Sequence, residues 1–294
     1  MHEREGPLPS ANGPRSARRE GQSNDSFAEC TLPDSNSAAT PFALTDKVAF
    51  IPGGYGGIGA AIAWGLARHG AEVIVAGRDG GKADAMAAQL RERGFAAAGV
   101  AMDAHSVPSI RAAVDAAVAR RGRVDILMNC VGTQREEPLL DVTEEAYDEV
   151  YEVNLKAAMF LGQAVARHQV ARGHGGRHVH LLSVRAQLGL RDRGYSAYCS
   201  TKGGLVMLVK QHAMELARHG ITVNGVAPTV VRTAMANHWL DNPVTRAQIL
   251  DRIPLGRVGE PDDVVGPALL FCAPAGAFVT GQVLYVDGGV TASQ

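Results

Sequence analysis

The stretch that decides the fold runs from Ile51 to Gly59, Ile-Pro-Gly-Gly-Tyr-Gly-Gly-Ile-Gly. It joins an apolar run, KVAF at 47–50, to a run with helical patterning, AAIAWGLARHG at 60–70. Five of its nine residues are glycine, the residue that loses most freedom on ordering. A strand-to-helix junction gains from such a density where something must come close to its backbone. A phosphate is such a group: backbone N–H donors and the positive end of a helix dipole hold it, and side chains would keep it off. Two spacings fit. Gly54-x-Gly56-x-x-Gly59 is the general dinucleotide fingerprint, and Gly53-x-x-x-Gly57-x-Gly59 is another spacing of the same device. A tight turn packed on a helix accounts for part of either match.

Outward from this junction, short apolar runs alternate with helical patterns. Strands are expected at 48–51, 72–76, 97–102, 126–130, 178–182, 222–226 and 283–286. They are continuous Val/Ile/Leu-rich runs rather than alternating ones, the mark of strands buried on both faces of a parallel sheet. Helices are expected at 58–69, 81–93, 107–120 and 197–218, and Ile58, Ile62 and Leu66 fall at i, i+4 and i+8, facing the sheet. The alternation predicts an α/β protein: a single-domain, doubly wound parallel sheet of the Rossmann kind with helices on both faces.

Composition narrows the function classes. Lys+Arg number 29 against Asp+Glu 30, a balance that gives no basic stripe for nucleic acid. The longest apolar runs are broken well short of a bilayer span. Cys30, Cys130, Cys199 and Cys272 are scattered without metal-ligand spacing or the density of a disulfide scaffold, so no metal is expected and a reduced, cytoplasmic protein is. Residues 1–41 are rich in Ser, Pro, Gly, Asn and Arg and too poor in apolar residues to bury a core. They lack the apolar core of a secretory signal, and their acids, Glu3, Glu5, Glu20 and Asp25, fit a transit peptide poorly. They are expected to form a disordered tail, or reflect an over-long start, ahead of one domain over 42–294.

A dinucleotide site usually carries an acid about 20 residues beyond the glycines, gripping the ribose 2′-hydroxyl. The second strand ends VIVAGRD, which puts Gly77 at that position and Arg78 after it. An arginine there suits a 2′-phosphate, so NADP is favoured over NAD. Asp79 is the alternative acid, and its plain role is to cap the next helix.

The chemistry is sought in GYSAYCSTKGGL at 194–205, where Tyr198 and Lys202 share a helix face. An ammonium beside a phenol favours the phenolate and lowers its pKa from near 10. The phenol can then give a proton to a developing alkoxide or take one from an alcohol. Ser183 ends the apolar run HVHLLS at 178–183, at the carboxyl edge of a strand where ligands bind. Asn154 is a polar residue in a mostly apolar helical stretch, and a satisfied core amide explains it equally well.

Together these stretches resemble the short-chain dehydrogenase/reductase family over about 42–289. GGYGGIG resembles its glycine motif in the second spacing, MDAHS its acidic turn, DILMNCVG its NNAG motif, and VNL, LLSVRAQLG and YSAYCSTK the segments bearing Asn, Ser and Tyr-x-x-x-Lys. VNGVAPTVVRT is similar to the stretch beside nicotinamide, and GQVLYVDGG to the last strand. The resemblance implies that Tyr198 is general acid/base, that Lys202 lowers its pKa and holds the ribose, that Ser183 orients the carbonyl and that Asn154 supports a water relay. For the cofactor it implies Gly53, Tyr55, Gly57, Ile58 and Gly59 in the phosphate loop, with Arg78 beside it and Asp103 at adenine. Asn129 and Gly132 help hold it, Tyr198 and Lys202 reach it, and groups near Val231 and Thr233 meet the carboxamide. Pro52, Cys130, Thr229 and a lengthened Ser183-to-Tyr198 interval depart from the family pattern.

A substrate loop is expected at about 233–252, offering Asn237, His238 and Trp239, with Arg185 and Gln187 near the serine and Gln134 and Arg135 after Gly132. Arg185 can pair a carboxylate in bidentate fashion or lie at the surface. The segment 183–205 resembles gluconate 5-dehydrogenase-like members. The expected reaction is NADP(H)-dependent hydride transfer on a secondary alcohol or ketone of a polyol or sugar acid. A 3-oxoacyl-type reductase and a non-catalytic cofactor-binding sensor stay open beside it, since fold alone does not give function. The family resemblance also implies a homotetramer.

Overall fold

The first strand, β1 (Val48–Pro52), is buried along its whole length. Ala49 and Ile51 turn to one side and Val48 and Phe50 to the other, each into a separate apolar cluster. A strand covered on both faces has no solvent side, so every position is apolar. The structure is a computed structural model and describes residues 40–191 and 193–292. The expected tail, apart from Thr40 and Pro41, lies outside the described residues.

Following β1 come α1 (Gly57–Arg68), β2 (Glu72–Gly77), α2 (Gly80–Glu92), β3 (Ala97–Ala101), α3 (Val107–Arg121) and β4 (Ile126–Asn129). The chain continues through α4 (Glu144–Tyr151), a π-helical turn (Glu152–Lys156), α5 (Ala157–Arg172), β5 (Gly176–Leu181), a 3-10 turn (Val184–Ala186), α6 (Ser196–Leu216) and β6 (Ile221–Pro228). It closes with α7 (Asn237–Leu240), α8 (Pro243–Asp251), α9 (Pro261–Cys272) and β7 (Val283–Val286). All seven expected strands are present, shifted by a residue or two at their ends. β5 and β6 reach further than the sequence suggests because their pairing runs from Gly176↔Ile221 to Leu181↔Val226.

The sheet is parallel throughout, in the order β3-β2-β1-β4-β5-β6-β7. One face is covered by α1, α2 and α9, through Ile62, Leu66, Leu90, Val264 and Leu269. The other is covered by α3 and α5, through Ile110, Val114, Leu161 and Val165, and by α6 through Leu205, Val209 and Ala213. Ile58 is half-buried against the first face. Within the apolar segment Leu205–Val209, Leu205 and Val209 are buried and Met207 is exposed. Chain order reverses between β1 and β4, so a crevice opens beyond their carboxyl ends, where such sheets bind ligands.

Candidate active site

At that crevice lies a cleft of about 920 Å³. Gly53, Tyr55, Gly57, Ile58 and Gly59 line its floor. The second glycine spacing is the one the backbone needs. Gly53 (φ 76°) and Gly57 (φ 47°) hold left-handed conformations. A Cβ at Gly53 would lie 2.7 Å from the Cys130 carbonyl oxygen, and one at Gly59 would collide with the Gly53 carbonyl oxygen. Gly56 caps α1 with no side-chain hydrogen bond, a Cβ there would meet open space, and the first turn holds no acid. The N-terminal N–H groups of α1 are thus left for an anion, and this bare cradle fits the pyrophosphate of a dinucleotide. Pro52 ends β1 and its carbonyl accepts from Cys130 N at 2.9 Å, so β4 braces the loop.

The charged corner of the cleft follows from β2 and β3. Arg78 and Asp103 both line the cleft. Arg78 is exposed and makes no hydrogen bond or ion pair among the described residues. Asp79 is committed to capping: its Oδ1 accepts from Lys82 N at 3.0 Å. The Asp103 carboxyl accepts from His105 N at 3.1 Å, and bonds to His105 hold it below the usual carboxylate range.

Ser183, Tyr198 and Lys202 meet at the opposite wall. Ser183 lies two residues past β5 and caps the 3-10 turn, accepting from Arg185 N at 3.2 Å. Its hydroxyl lies beside the Tyr198 phenol and favours the phenolate. Lys202 is buried, its Nζ donating to Leu181 O at 2.9 Å and standing 5.6 Å from the centre of the Tyr198 ring. The electrostatics run against the expectation. Burial pushes the Tyr198 phenol up to about 12, opposed by the Ser183 hydroxyl. The lysine is itself pulled down to about 8, because burial disfavours its charged form. Desolvation, which sequence spacing does not report, is the largest influence on both groups.

Over residues 54–291 the chain matches the family profile described as enoyl-(acyl carrier protein) reductase. The chain belongs to the short-chain dehydrogenase/reductase family. It is an NAD(P)-dependent oxidoreductase of that family. It is 36% identical over 252 residues to gluconate 5-dehydrogenase of Gluconobacter oxydans, covering 86% of this chain and 97% of that one. It is 33% identical over 249 residues to 5-keto-D-gluconate 5-reductase of Escherichia coli, covering 85% and 97%. Among solved structures it is similar to a gluconate 5-dehydrogenase from Burkholderia cenocepacia in complex with NADP and tartrate. That similarity has a TM-score of 0.84 and 36% identity, and covers 88% of this chain and 100% of that one.

In this short-chain dehydrogenase/reductase, Asn129 and Asn154 stand behind the cleft wall rather than on it. Asn154 sits in the π-helical turn, an irregularity often found at functional sites. Its Oδ1 accepts from Thr133 N at 2.8 Å, and its Nδ2 donates to Thr133 O at 3.0 Å and to Thr201 Oγ1 at 3.2 Å. The amide is thereby spent on pinning the loop that carries Gly132, which lines the cleft. Asn129 Oδ1 accepts from Val131 N at 3.1 Å, and its Nδ2 donates to His180 Nδ1 at 3.2 Å. Sequence reading missed Thr133, Thr201 and His180; nothing in their local composition marks them, since their roles come from contacts across 21, 47 and 51 positions. Val231 and Thr233 line the cleft, with Val231 bridged to Gly259 and the Thr233 methyl 2.9 Å from where a Cβ on Gly57 would stand.

The expected substrate loop forms α7 and α8. Of its three candidates only Trp239 reaches the cleft; Asn237 and His238 do not. Gln134 and Arg185 line it, whereas Arg135 pairs with Glu149 at 3.3 Å and Gln187 is exposed outside it. Arg193, unmarked in the sequence, pairs with Glu136 and packs 5.8 Å from the Tyr195 ring and 5.7 Å from the Trp239 ring. It ties together three loops around the cleft mouth.

Proposed function

We propose that the chain is an NADP(H)-dependent oxidoreductase acting on a secondary alcohol or ketone carbon of a polyol-like sugar acid. Bound nicotinamide supplies or accepts the hydride; the protein supplies placement and the proton. Gly53, Tyr55, Gly57, Ile58 and Gly59 cradle the pyrophosphate, Arg78 takes the 2′-phosphate and Asp103 the adenine. Gly132, Val231 and Thr233 border the nicotinamide end, with Asn129 as the brace behind it. Tyr198, held protonated at neutral pH by burial, is the acid that protonates the developing alkoxide and, in reverse, the base that must first be relieved of its proton. Ser183 orients the carbonyl oxygen. Lys202 keeps one N–H bond to Leu181 O and turns its other donors to the ribose and the phenol. Asn154 is a positioning residue.

The observation that carries the substrate class is Arg185. Its side chain lies in the cleft two residues from Ser183, and burial lowers its pKa. Its Nη1 is bound by the carbonyls of Leu188 at 3.3 Å and Gly189 at 2.6 Å, and no carboxylate of the described residues pairs with it. A half-buried guanidinium without a counter-charge is a ready partner for a carboxylate ligand. The relatives named for gluconate and 5-keto-D-gluconate support the same class. The test is NADPH oxidation with 5-keto sugar acids on wild type, Arg185→Lys and Arg185→Leu. The leucine variant is expected to raise KM for the acid by roughly 10–100-fold, the loss of a bond to a charged group, and to leave KM for a neutral ketose unchanged. Turnover of oxoacyl thioesters with none on sugar acids would overturn the reading in favour of carrier-linked reduction.

Two further expectations belong here. Exposed Met207 and Met214 lie on α6, the helix that carries Tyr198 and that the family uses for assembly, and they support a homotetramer, which sedimentation would check. Free thiols at Cys130, Cys199 and Cys272 support a reducing cytoplasm. Among the described residues no helix is long and apolar enough to cross a membrane.

A further inference from the structure

We propose that Tyr55 selects NADP: its hydroxyl is a second donor to the 2′-phosphate beside Arg78, and its ring bars an acid from position 77. The proposal rests on the reading of the Arg78 corner as the 2′-phosphate site. Its first ground is steric. β2 ends at Gly77, and a Cβ there would collide with Cε1 of the Tyr55 ring and come 3.0 Å from its hydroxyl oxygen. The ring therefore occupies the room that an aspartate side chain at 77 would need. It is half-buried and packs against the core cluster under α1, so its position is fixed by packing.

The second ground is the hydrogen-bond pattern. Asp79 N points to the Tyr55 hydroxyl oxygen at 3.4 Å. The phenol thus faces that N–H with a lone pair, and its own proton has no acceptor among the described residues. Arg78 beside it is equally free, and both line the cleft. Asp79, the one acid nearby on this turn, is taken by Lys82 N and lies 3.8 Å from Lys82 Nζ. The corner offers an O–H donor and a guanidinium fork. A phosphate, with several acceptor oxygens, satisfies both; a ribose hydroxyl, which needs an acceptor for its proton, satisfies neither fully.

The experiment measures Kd by calorimetry for 2′,5′-ADP and 5′-AMP, probes that differ by the 2′-phosphate and carry no nicotinamide. Tyr55→Phe keeps the ring and removes the donor. It is expected to weaken 2′,5′-ADP by about tenfold or more, the usual cost of a lost bond to a charged group, and to leave 5′-AMP within about twofold. Gly77→Asp alone is expected to gain no affinity for NADH, whereas Gly77→Asp with Tyr55→Ala is expected to gain it, read by NADH fluorescence. Equal effects of Tyr55→Phe on both nucleotides, or none, would overturn the donor role. A gain from Gly77→Asp alone equal to that of the double variant would overturn the steric role. Arg78→Ala separates the two readings: if it leaves the ratio of the two nucleotides unchanged, the 2′-phosphate site itself is misplaced. If it collapses that ratio while Tyr55→Phe does not, only the Tyr55 proposal fails.

Discussion

Gly59 and Arg193 stand on opposite sides of the cleft and hold their sides together by opposite means. Gly59 acts through what it lacks: any side chain would strike the Gly53 carbonyl, so the loop and the start of α1 close on each other backbone to backbone. Its nearest partner lies six residues away, with Cys130 Cβ 3.2 Å from where its own Cβ would stand, and its effect is rigidity. Arg193 acts through a long charged side chain that reaches Glu136 on one loop and Trp239 on another. Its contacts are partly exposed, and such pairs contribute little individually. The floor of the cleft is rigid backbone, the proposed cradle for the cofactor. The mouth is an assembly of loops that can change with the substrate, as loops on a rigid scaffold usually do.

The largest effect is expected from Tyr198→Phe, which removes the proposed proton donor at the junction of the two sides. Turnover should fall by about 10²–10⁴-fold while NADPH affinity stays within a few-fold, read by steady-state kinetics and fluorescence titration. A variant with near wild-type kcat would move the acid elsewhere. Next comes the floor: Gly59→Ala should abolish measurable NADPH binding and destabilise by about 1–3 kcal/mol, the usual cost of overpacking. Gly56→Ala, whose Cβ meets no protein atom, should fold as stably as wild type. Similar behaviour of the two would refute the account of the cradle.

The third test concerns β5, which the two sides share. His178 and His180 are fully buried, and burial holds both neutral, with the His178 pKa pulled down to about 3. The unfolded chain takes up protons below about 6.5 while the folded one does not, so stability falls as pH drops through that value. Chemical denaturation at pH 7.5 and 5.5 should differ by about 1.4 kcal/mol for each histidine. Replacing both with glutamine should flatten the slope, and an unchanged slope would place the linkage in other groups. The smallest effect is expected at the mouth. Arg193→Ala should raise the substrate KM by only about 3–10-fold, within the range of a partly exposed ion pair and its ring contacts, and leave NADPH binding intact. A loss of cofactor affinity there would mean that the two sides are not independent.

The ladder of strands was legible because each is a continuous apolar run, and a parallel sheet covered on both faces demands that. The glycine spacing left two readings, and only the backbone angles at Gly53 and Gly57 separated them. Ser183, Tyr198 and Lys202 were legible as residue types at a strand end and on one helix face. Asn154 was visible as an anomaly, but its part in pinning Thr133 was not, since a hydrogen bond across 21 positions leaves no local trace. Trp239 was found in a segment where Asn237 and His238 were equally good candidates, because which face of a four-residue helix turns inward depends on what packs beneath it.

The fold class, the glycine-rich junction, the absence of an acid at Gly77 and a Tyr–Lys pair on one helix face can be read from the chain alone. Each depends on chemistry carried by neighbours in the chain. Packing between distant segments set which residues share a cavity and how far each is shielded from solvent. It reversed the expected shift of Tyr198, withdrew Asn129 and Asn154 behind the wall, and set the Tyr55 ring where a side chain at 77 would go. Those outcomes follow from burial and from contacts between distant segments, and desolvation is a property of the packed whole rather than of any stretch of chain.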